Sequence, residues 1–305
     1  MSASITLLGA IDQKTMDQLE SWLAEYNKDV SRQYLTDSSD PVAVQRWNLN
    51  SPFTKEQEAM VRAQLLSFSD ESHIDHVYQS QSVDISRPGL AVFDMDSTLI
   101  KAEVMDELAV EAGIGEEIAA ITASAMRGEI DFTESFVKRL SLLDGLSSDV
   151  MDGVFARIEY MEGIDKLMKV LNHFDWHTAI LSGGFTFFAD KIKRALDFSE
   201  VHANVLEIED DKLTGKHLGP IVDGSRKKHL LESILQETGY SQSQTIACGD
   251  GANDLLMLNT ANLGVALHAK PLVREQAPHP VNQLGLDSIL YLLGMTSAEI
   301  RQISA

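Results

Sequence analysis

The sequence predicts a two-part chain, a small α+β domain followed by a larger α/β domain on a parallel, doubly wound sheet. Three observations predict it. Strand-like and helix-like patterns follow the order βαββαβ over residues 1–85. After residue 86, short apolar runs alternate with helical segments, the pattern of a parallel sheet. Between the two regions lies Ser86-Arg87-Pro88-Gly89, a turn-rich linker.

In the first region, Ile5 to Leu8 is strand-like and Asp12 to Tyr26 has helical spacing at Met16, Leu19, Trp22 and Leu23. Ser31 to Leu35 and Val42 to Trp47 read as strands on either side of Asp37-Ser38-Ser39-Asp40-Pro41. Thr54 is placed to cap a helix running to Phe68, with Glu56 and Glu58 in its first turn. Ile74 to Ser80 supplies a last strand. This order is that of two-layer ferredoxin-like domains and is similar to ACT domains.

In the second region, the strands are Leu90 to Phe93, Thr178 to Leu181, Thr245 to Cys248 and Leu263 to Ala266. A Rossmann-like parallel sheet is the economical arrangement. The helical stretch from about 105 to 171 is too long for one crossover and is expected to form a cap. Ala203 to His217 reads as a hairpin turning at Glu209-Asp210-Asp211-Lys212.

The chain has 305 residues and a formal net charge of −21, which argues against nucleic acid and against an anionic membrane surface. An anionic substrate stays allowed, because nearby cations outweigh a distant, screened field. A single cysteine, Cys248, rules out an internal disulfide and a multi-cysteine zinc site. The start, Met1-Ser2-Ala3-Ser4-Ile5, lacks the basic segment of a signal peptide, and no apolar run approaches membrane-spanning length. A cytoplasmic location is expected.

The chemistry concentrates at strand ends. Val92-Phe93 runs into Asp94-Met95-Asp96-Ser97-Thr98. Two crowded carboxylates suit a hard divalent cation and a phosphate, and a carboxylate can itself attack phosphorus. Asp96, Ser97 or Thr98 could equally cap the following helix. The second strand leads to Ser182-Gly183-Gly184, a hydroxyl beside two residues that let backbone N–H groups approach a phosphate, or a plain turn. The third leads to Gly249-Asp250-Gly251, then Asn253 and Asp254, which taken alone could be a hairpin tip. In an open parallel sheet the carboxyl ends of the strands share one crevice, so these groups are expected to converge.

The ordered set resembles the haloacid dehalogenase-like phosphatases, and among them the branch that hydrolyses phosphoserine. Asp94 to Thr98 matches the DxDxT signature, Ser182 the second motif, Lys227 the third and Gly249 to Asp254 the fourth. The likeness spans roughly residues 86 to 295. It implies a Mg²⁺-dependent hydrolysis of O-phospho-L-serine to L-serine and phosphate, the last step of serine synthesis. Asp94 would be the nucleophile and Asp96 the acid and base. Asp94, Asp96 (through its carbonyl) and Asp250 would hold Mg²⁺. Ser182, Gly183 and Lys227 would bind phosphate, with Asp254 in support. Lys228 is the alternative to Lys227, and the frame Lys227-x-x-Leu230-Leu231 favours the first. Glu103 would take the substrate ammonium and Arg139 its carboxylate. Met126 and Phe132 would wall the pocket, and Gly184 and Asn253 would also touch substrate. Without the resemblance, Glu103 and Arg139 read as solvated helix residues, and Met126 and Phe132 as a helix core stripe.

Two rivals remain. One is transfer of the phosphoryl group to another hydroxyl, such as that of homoserine. The other is an amino-acid sensor acting through residues 1–85, since ACT domains often bind amino acids at paired interfaces; a homodimer fits that reading. Ser225-x-x-Lys228 lacks the companions of the serine β-lactamase motif. His73 and His76 would point to opposite faces of a strand, which weakens a metal reading.

Overall fold

The computed structural model describes residues 3–305, apart from the side chain of Met126. The chain divides into two compact units. One comprises the chain up to Ala91 together with Glu162–His177 and Thr238–Ala305; the other comprises Val92–Met161 and Thr178–Glu237.

The first unit begins with β1 (Ser4–Gly9), α1 (Gln13–Glu25), β2 (Val30–Tyr34), β3 (Ala43–Leu49), α2 (Lys55–Ser72) and β4 (Asp75–Gln79). The four strands form an antiparallel sheet in the order β2-β3-β1-β4. Both helices start where their caps dictate. Asp12 accepts from the Thr15 N–H at 2.8 Å, and the Gln57 side chain accepts from the Thr54 N–H at 3.0 Å. Ile5, Leu7, Trp47 and Tyr78 on one face of the sheet join Leu19, Leu23, Val61 and Leu65 of the helices in one core. Each such aliphatic side chain contributes about 1.5–3 kcal/mol by leaving water.

Side chains alternate along a strand, so Ser4, Thr6, Arg46, Asp75 and Gln79 occupy the opposite face, and all are buried. The C-terminal segment covers them. Arg46 Nη1 donates to the Leu292 carbonyl at 2.8 Å. Asp75 Oδ2 accepts from the Asn282 and Gln283 N–H groups, each at 2.8 Å. The Ser297 N–H donates to the Leu35 carbonyl at 2.7 Å.

The remaining elements are β5 (Leu90–Phe93), α3 (Val104–Ala112), α4 (Gly115–Met126), α5 (Phe132–Ser141), α6 (Val150–Arg157), α7 (Ile164–His173), β6 (His177–Phe185), α8 (Thr186–Leu196), β7 (Glu200–Glu209), β8 (Lys212–Leu218), α9 (Gly224–Thr238), β9 (Thr245–Gly249), α10 (Leu255–Thr260), β10 (Leu263–Leu267), α11 (Pro271–Gln276), β11 (His279–Val281), α12 (Ser288–Leu292) and α13 (Ser297–Ser304). Seven strands form a mixed sheet in the order β11-β10-β9-β5-β6-β7-β8. The pairs β6·β7, β9·β10 and β10·β11 are parallel, and the hairpin β7·β8 is antiparallel. Chain order reverses at β5, the kind of switch point at which α/β sheets place their sites. The ends of the helical stretch α3–α6 are stitched together. The Lys101 N–H donates to the Glu159 carbonyl at 2.9 Å and the Met161 N–H to the Leu99 carbonyl at 2.9 Å.

Candidate active site

The four residues of β5 are fully buried, and Asp94 follows at 6% exposure. A carboxylate this dry needs a cation. It has Lys227, in the first turns of α9 and 0% exposed, whose Nζ lies 2.8 Å from Asp94 Oδ1. Lys228, one residue on, is partly exposed and faces Glu232 at 3.7 Å.

After Asp94 the chain wraps tightly. The Thr98, Leu99 and Ile100 N–H groups all point at the Met95 carbonyl, at 3.3, 2.9 and 3.1 Å. This turn forces Ser97 to φ 56°, a left-handed conformation that favours glycine or asparagine. Asp96 Oδ1 accepts from the Val104 N–H at 2.9 Å, at the start of α3. Its Oδ2 lies where a Cβ on Gly184 would be, so residue 184 has to be glycine for the carboxylate to sit there.

Ser182 is fully buried, and its Oγ accepts from the Gly184 N–H at 2.8 Å. That contact uses an oxygen lone pair and leaves the hydroxyl proton for another acceptor. The sequence places Ser182-Gly183-Gly184 after the strand, whereas β6 continues to Phe185 through an irregular stretch between Leu181 and Phe185. The two glycines lack side chains to pack, which permits such a bulge.

Arg139 on α5 is half-buried. Burial pulls its pKa down, and the carboxylates of Asp106, Glu103 and Asp96 oppose that. Its Nε has no hydrogen-bond partner. Glu103, exposed at the N-terminus of α3, accepts from Ser97 Oγ at 2.7 Å. Phe132 opens α5 over Gly183, with ring carbon Cζ 3.0 Å from where a Cβ of residue 183 would be. It stacks on Phe136 at 6.5 Å between centroids. The side chain of Met126 lies outside the described residues.

Asp250 and Asn253, both half-buried, follow β9, and Asp254 is fully buried. The Gly251 N–H donates to Asp254 Oδ2 at 2.9 Å. A Cβ on Gly249 would strike the Asp254 carboxylate. Within the first unit, the Asp250 and Asp254 carboxylates have oxygens within 4.8 Å of each other, a pair that could help to hold a metal. Their all-oxygen donor set suits a hard cation. His73 instead ends α2, and His76 sits in β4 with Nδ1 2.8 Å from the Ile74 carbonyl.

Three contributors escape the sequence reading. Ser97 is legible there only as a helix cap. Asp106, three residues beyond Glu103, adds a negative charge that opposes the downward pull of burial on the Arg139 pKa, which helical spacing from Glu103 could have suggested. Asn204 in β7 has no sequence signal at all.

Comparison with known proteins agrees with this geometry. A family model described as haloacid dehalogenase-like hydrolase matches residues 91–259. A phosphoserine phosphatase of Haemophilus influenzae is 43% identical over 228 residues, which is 75% of this chain and 73% of that protein. A HAD-family hydrolase from Salmonella enterica serovar Typhi has a similar structure, with a TM-score of 0.83 at 30% identity, over 96% of this chain and 99% of that one. A substrate-bound phosphoserine phosphatase complex matches with a TM-score of 0.64 at 38% identity, over 67% of this chain and 98% of that one. The family match covers more than half of the chain, and the protein is an enzyme that belongs to the haloacid dehalogenase-like hydrolases.

Proposed function

We propose that the enzyme hydrolyses O-phospho-L-serine to L-serine and phosphate through an aspartyl-phosphate on Asp94. The observation that carries this is the buried pair Asp94–Lys227 at 2.8 Å, beside the DxDxT turn. An oxygen of Asp94 attacks phosphorus, and the bond to the serine oxygen breaks. Asp96, held by the Val104 N–H, gives that oxygen its proton. A water then attacks the aspartyl-phosphate, Asp96 takes the water's proton, and Asp94 is released as carboxylate. Ser182, Gly183 and Lys227 hold the phosphate charge. Asp94, Asp96 and Asp250 would hold Mg²⁺, with Asp254 and Asn253 in support. The bound ion would let the anionic nucleophile and the phosphate approach each other.

Substrate choice is assigned to Glu103 for the ammonium and Arg139 for the carboxylate, with Phe132 and Gly184 lining the pocket. What supports Arg139 is its buried Nε without a partner, a donor that a planar carboxylate would satisfy. With serine as product, the end of serine synthesis and a cytoplasmic location belong to this reading. No helix among the described residues is long and apolar enough to cross a membrane.

We also assign residues 1–85 to an ACT-like domain and 86–305 to the phosphatase domain, with its cap at about 105–171. Support comes from the substrate-bound relative, which 67% of this chain covers over 98% of its length. Serine binding to the first domain and pairing of two chains belong to the same reading.

The test is phosphate release from L-phosphoserine, phosphothreonine and sugar phosphates, with Mg²⁺ or EDTA, for wild type and Asp94→Asn. Mg²⁺-dependent release specific to phosphoserine and absent in Asp94→Asn is expected. Preference for another phosphate would overturn the substrate and the roles of Glu103 and Arg139. Loss of free phosphate when homoserine is added, with a phosphorylated acceptor formed, would favour transfer over hydrolysis.

A further inference from the structure

Asn204 sits in β7 with 1% exposure. Its Nδ2 donates to the Gly183 carbonyl at 2.7 Å, and its Oδ1 accepts from the Val222 N–H at 2.9 Å. The partners fix which way the amide points, because a carbonyl can only accept and an N–H can only donate.

Both contacts land on segments that carry site residues. Leu181 is opposite His202 and Phe185 opposite Asn204, so four steps along β6 face two along β7. The ladder is interrupted there, and buried backbone groups need partners from elsewhere. The Gly183 carbonyl gets its partner from Asn204. The same peptide group carries the Gly184 N–H, which donates to Ser182 Oγ. A peptide is planar, so holding its carbonyl fixes the direction of its N–H. The orientation of the Ser182 hydroxyl therefore depends on Asn204.

At the other end, Val222 precedes Asp223, which starts α9. Asp223 Oδ1 accepts from the Arg226 N–H at 2.7 Å, and its carbonyl accepts from the Lys227 N–H at 2.9 Å. One rigid amide thus ties the Ser182–Gly184 stretch to the turn that presents Lys227.

We propose that Asn204 is a positioning residue that sets the spacing between the two phosphate-holding groups, Ser182 and Lys227. This rests on the phosphate-binding roles assigned to those two residues above.

The test uses Asn204→Asp in the full-length enzyme. An ionised carboxylate accepts from Val222 but repels the Gly183 carbonyl, whereas the protonated acid can donate to it and restore both contacts. At pH 7.5, a fall in kcat of about tenfold or more and weaker inhibition by inorganic phosphate are expected, with inhibition by L-serine within about twofold. The deficit should shrink as pH falls towards 5, a recovery that a merely loosened fold would not give. Phosphate inhibition and a pH profile matching wild type would overturn the proposal, as would equal weakening of phosphate and serine. If Asn204→Asp does not fold, Asn204→Ser is judged on the same phosphate-against-serine split. Wild-type enzyme inactive on phosphoserine would sink the substrate reading alone, because inorganic phosphate binding, measured by calorimetry, still decides the role of Asn204.

Discussion

Ser97 donates its hydroxyl to Glu103 Oε1 across 2.7 Å from a left-handed backbone, φ 56°. A serine there costs about 1–2 kcal/mol relative to an unstrained conformation. The turn onto the Met95 carbonyl holds it in place. A residue between the two reactive aspartates and the helical stretch thus aims the carboxylate assigned to the substrate ammonium. Removing a hydrogen bond to a charged group costs about 1.5–3 kcal/mol. Ser97→Ala should therefore raise KM for phosphoserine at least about tenfold and leave p-nitrophenyl phosphate hydrolysis nearly unchanged. Ser97→Gly should show the same KM defect with less loss of thermal stability. Steady-state kinetics on both substrates, with melting curves, checks this. Equal losses on both substrates would remove Glu103 from ammonium binding.

Lys227 Nζ lies 2.8 Å from Asp94 Oδ1, and both residues are buried. Lys227→Met is expected to lower kcat by about 100-fold or more. Lys228→Met should stay within about twofold, because Lys228 faces Glu232 at the surface. Comparable losses in the two variants would show that the wrong lysine had been assigned.

Gly184 makes room for the Asp96 carboxylate and the Met95 methyl group. In Gly184→Ala a new methyl group occupies that space, and displacing an acid–base group by about 1 Å can cost about 100-fold in rate. The loss should appear in kcat while circular dichroism stays that of wild type. An active Gly184→Ala enzyme would mean that Asp96 works from another position.

Stability should fall on mild acidification. Burial lowers His76 to about 4, opposed by the Ile74 carbonyl. Burial lowers His279 to about 3, with a smaller push from Arg62. In the unfolded chain both titrate near 6.5. Below that pH the unfolded state binds more protons, so the folded state loses ground. The contribution is complete above pH 6.5 and declines as pH falls towards 4 for His76 and 3 for His279. At pH 5.5 the loss is about 1–2 kcal/mol for each. Tm measured from pH 7.5 to 5 should drop, and His76→Asn should flatten the slope. An unchanged slope would mean that His76 is already charged in the folded protein.

The strands and helix starts were legible wherever hydrophobic period and capping chemistry agreed. Leu90 to Phe93, the Thr54 cap and the hairpin turn near Glu209 are of this kind. β11 was not, because His279-Pro280-Val281 is too short to show a period. The three chemical strand ends were readable because all three lead into phosphate- or metal-compatible groups, and a parallel sheet gathers its strand ends at one crevice. Glu103 and Arg139 needed the family likeness: they lie 36 positions apart on separate helices, and nothing in a helical wheel links them. Asn204 was invisible for a different reason. Its value lies in a gap in the β6·β7 ladder, and a sequence does not display a missing backbone partner.

The bond from Arg46 to the Leu292 carbonyl spans 246 residues of chain. At a synthesis rate of about 5–20 residues per second, the N-terminal sheet leaves the ribosome roughly 10–50 s before its covering segment exists. During that time one face of the sheet is bare. A hydrocarbon face would invite association with other nascent chains. This one mixes Leu8, Val44 and Val77 with Ser4, Thr6, Arg46, Asp75 and Gln79, and water solvates the polar members well. Polar groups that bind the covering segment in the finished protein can thus also help to keep the half-made one soluble until its C-terminus arrives.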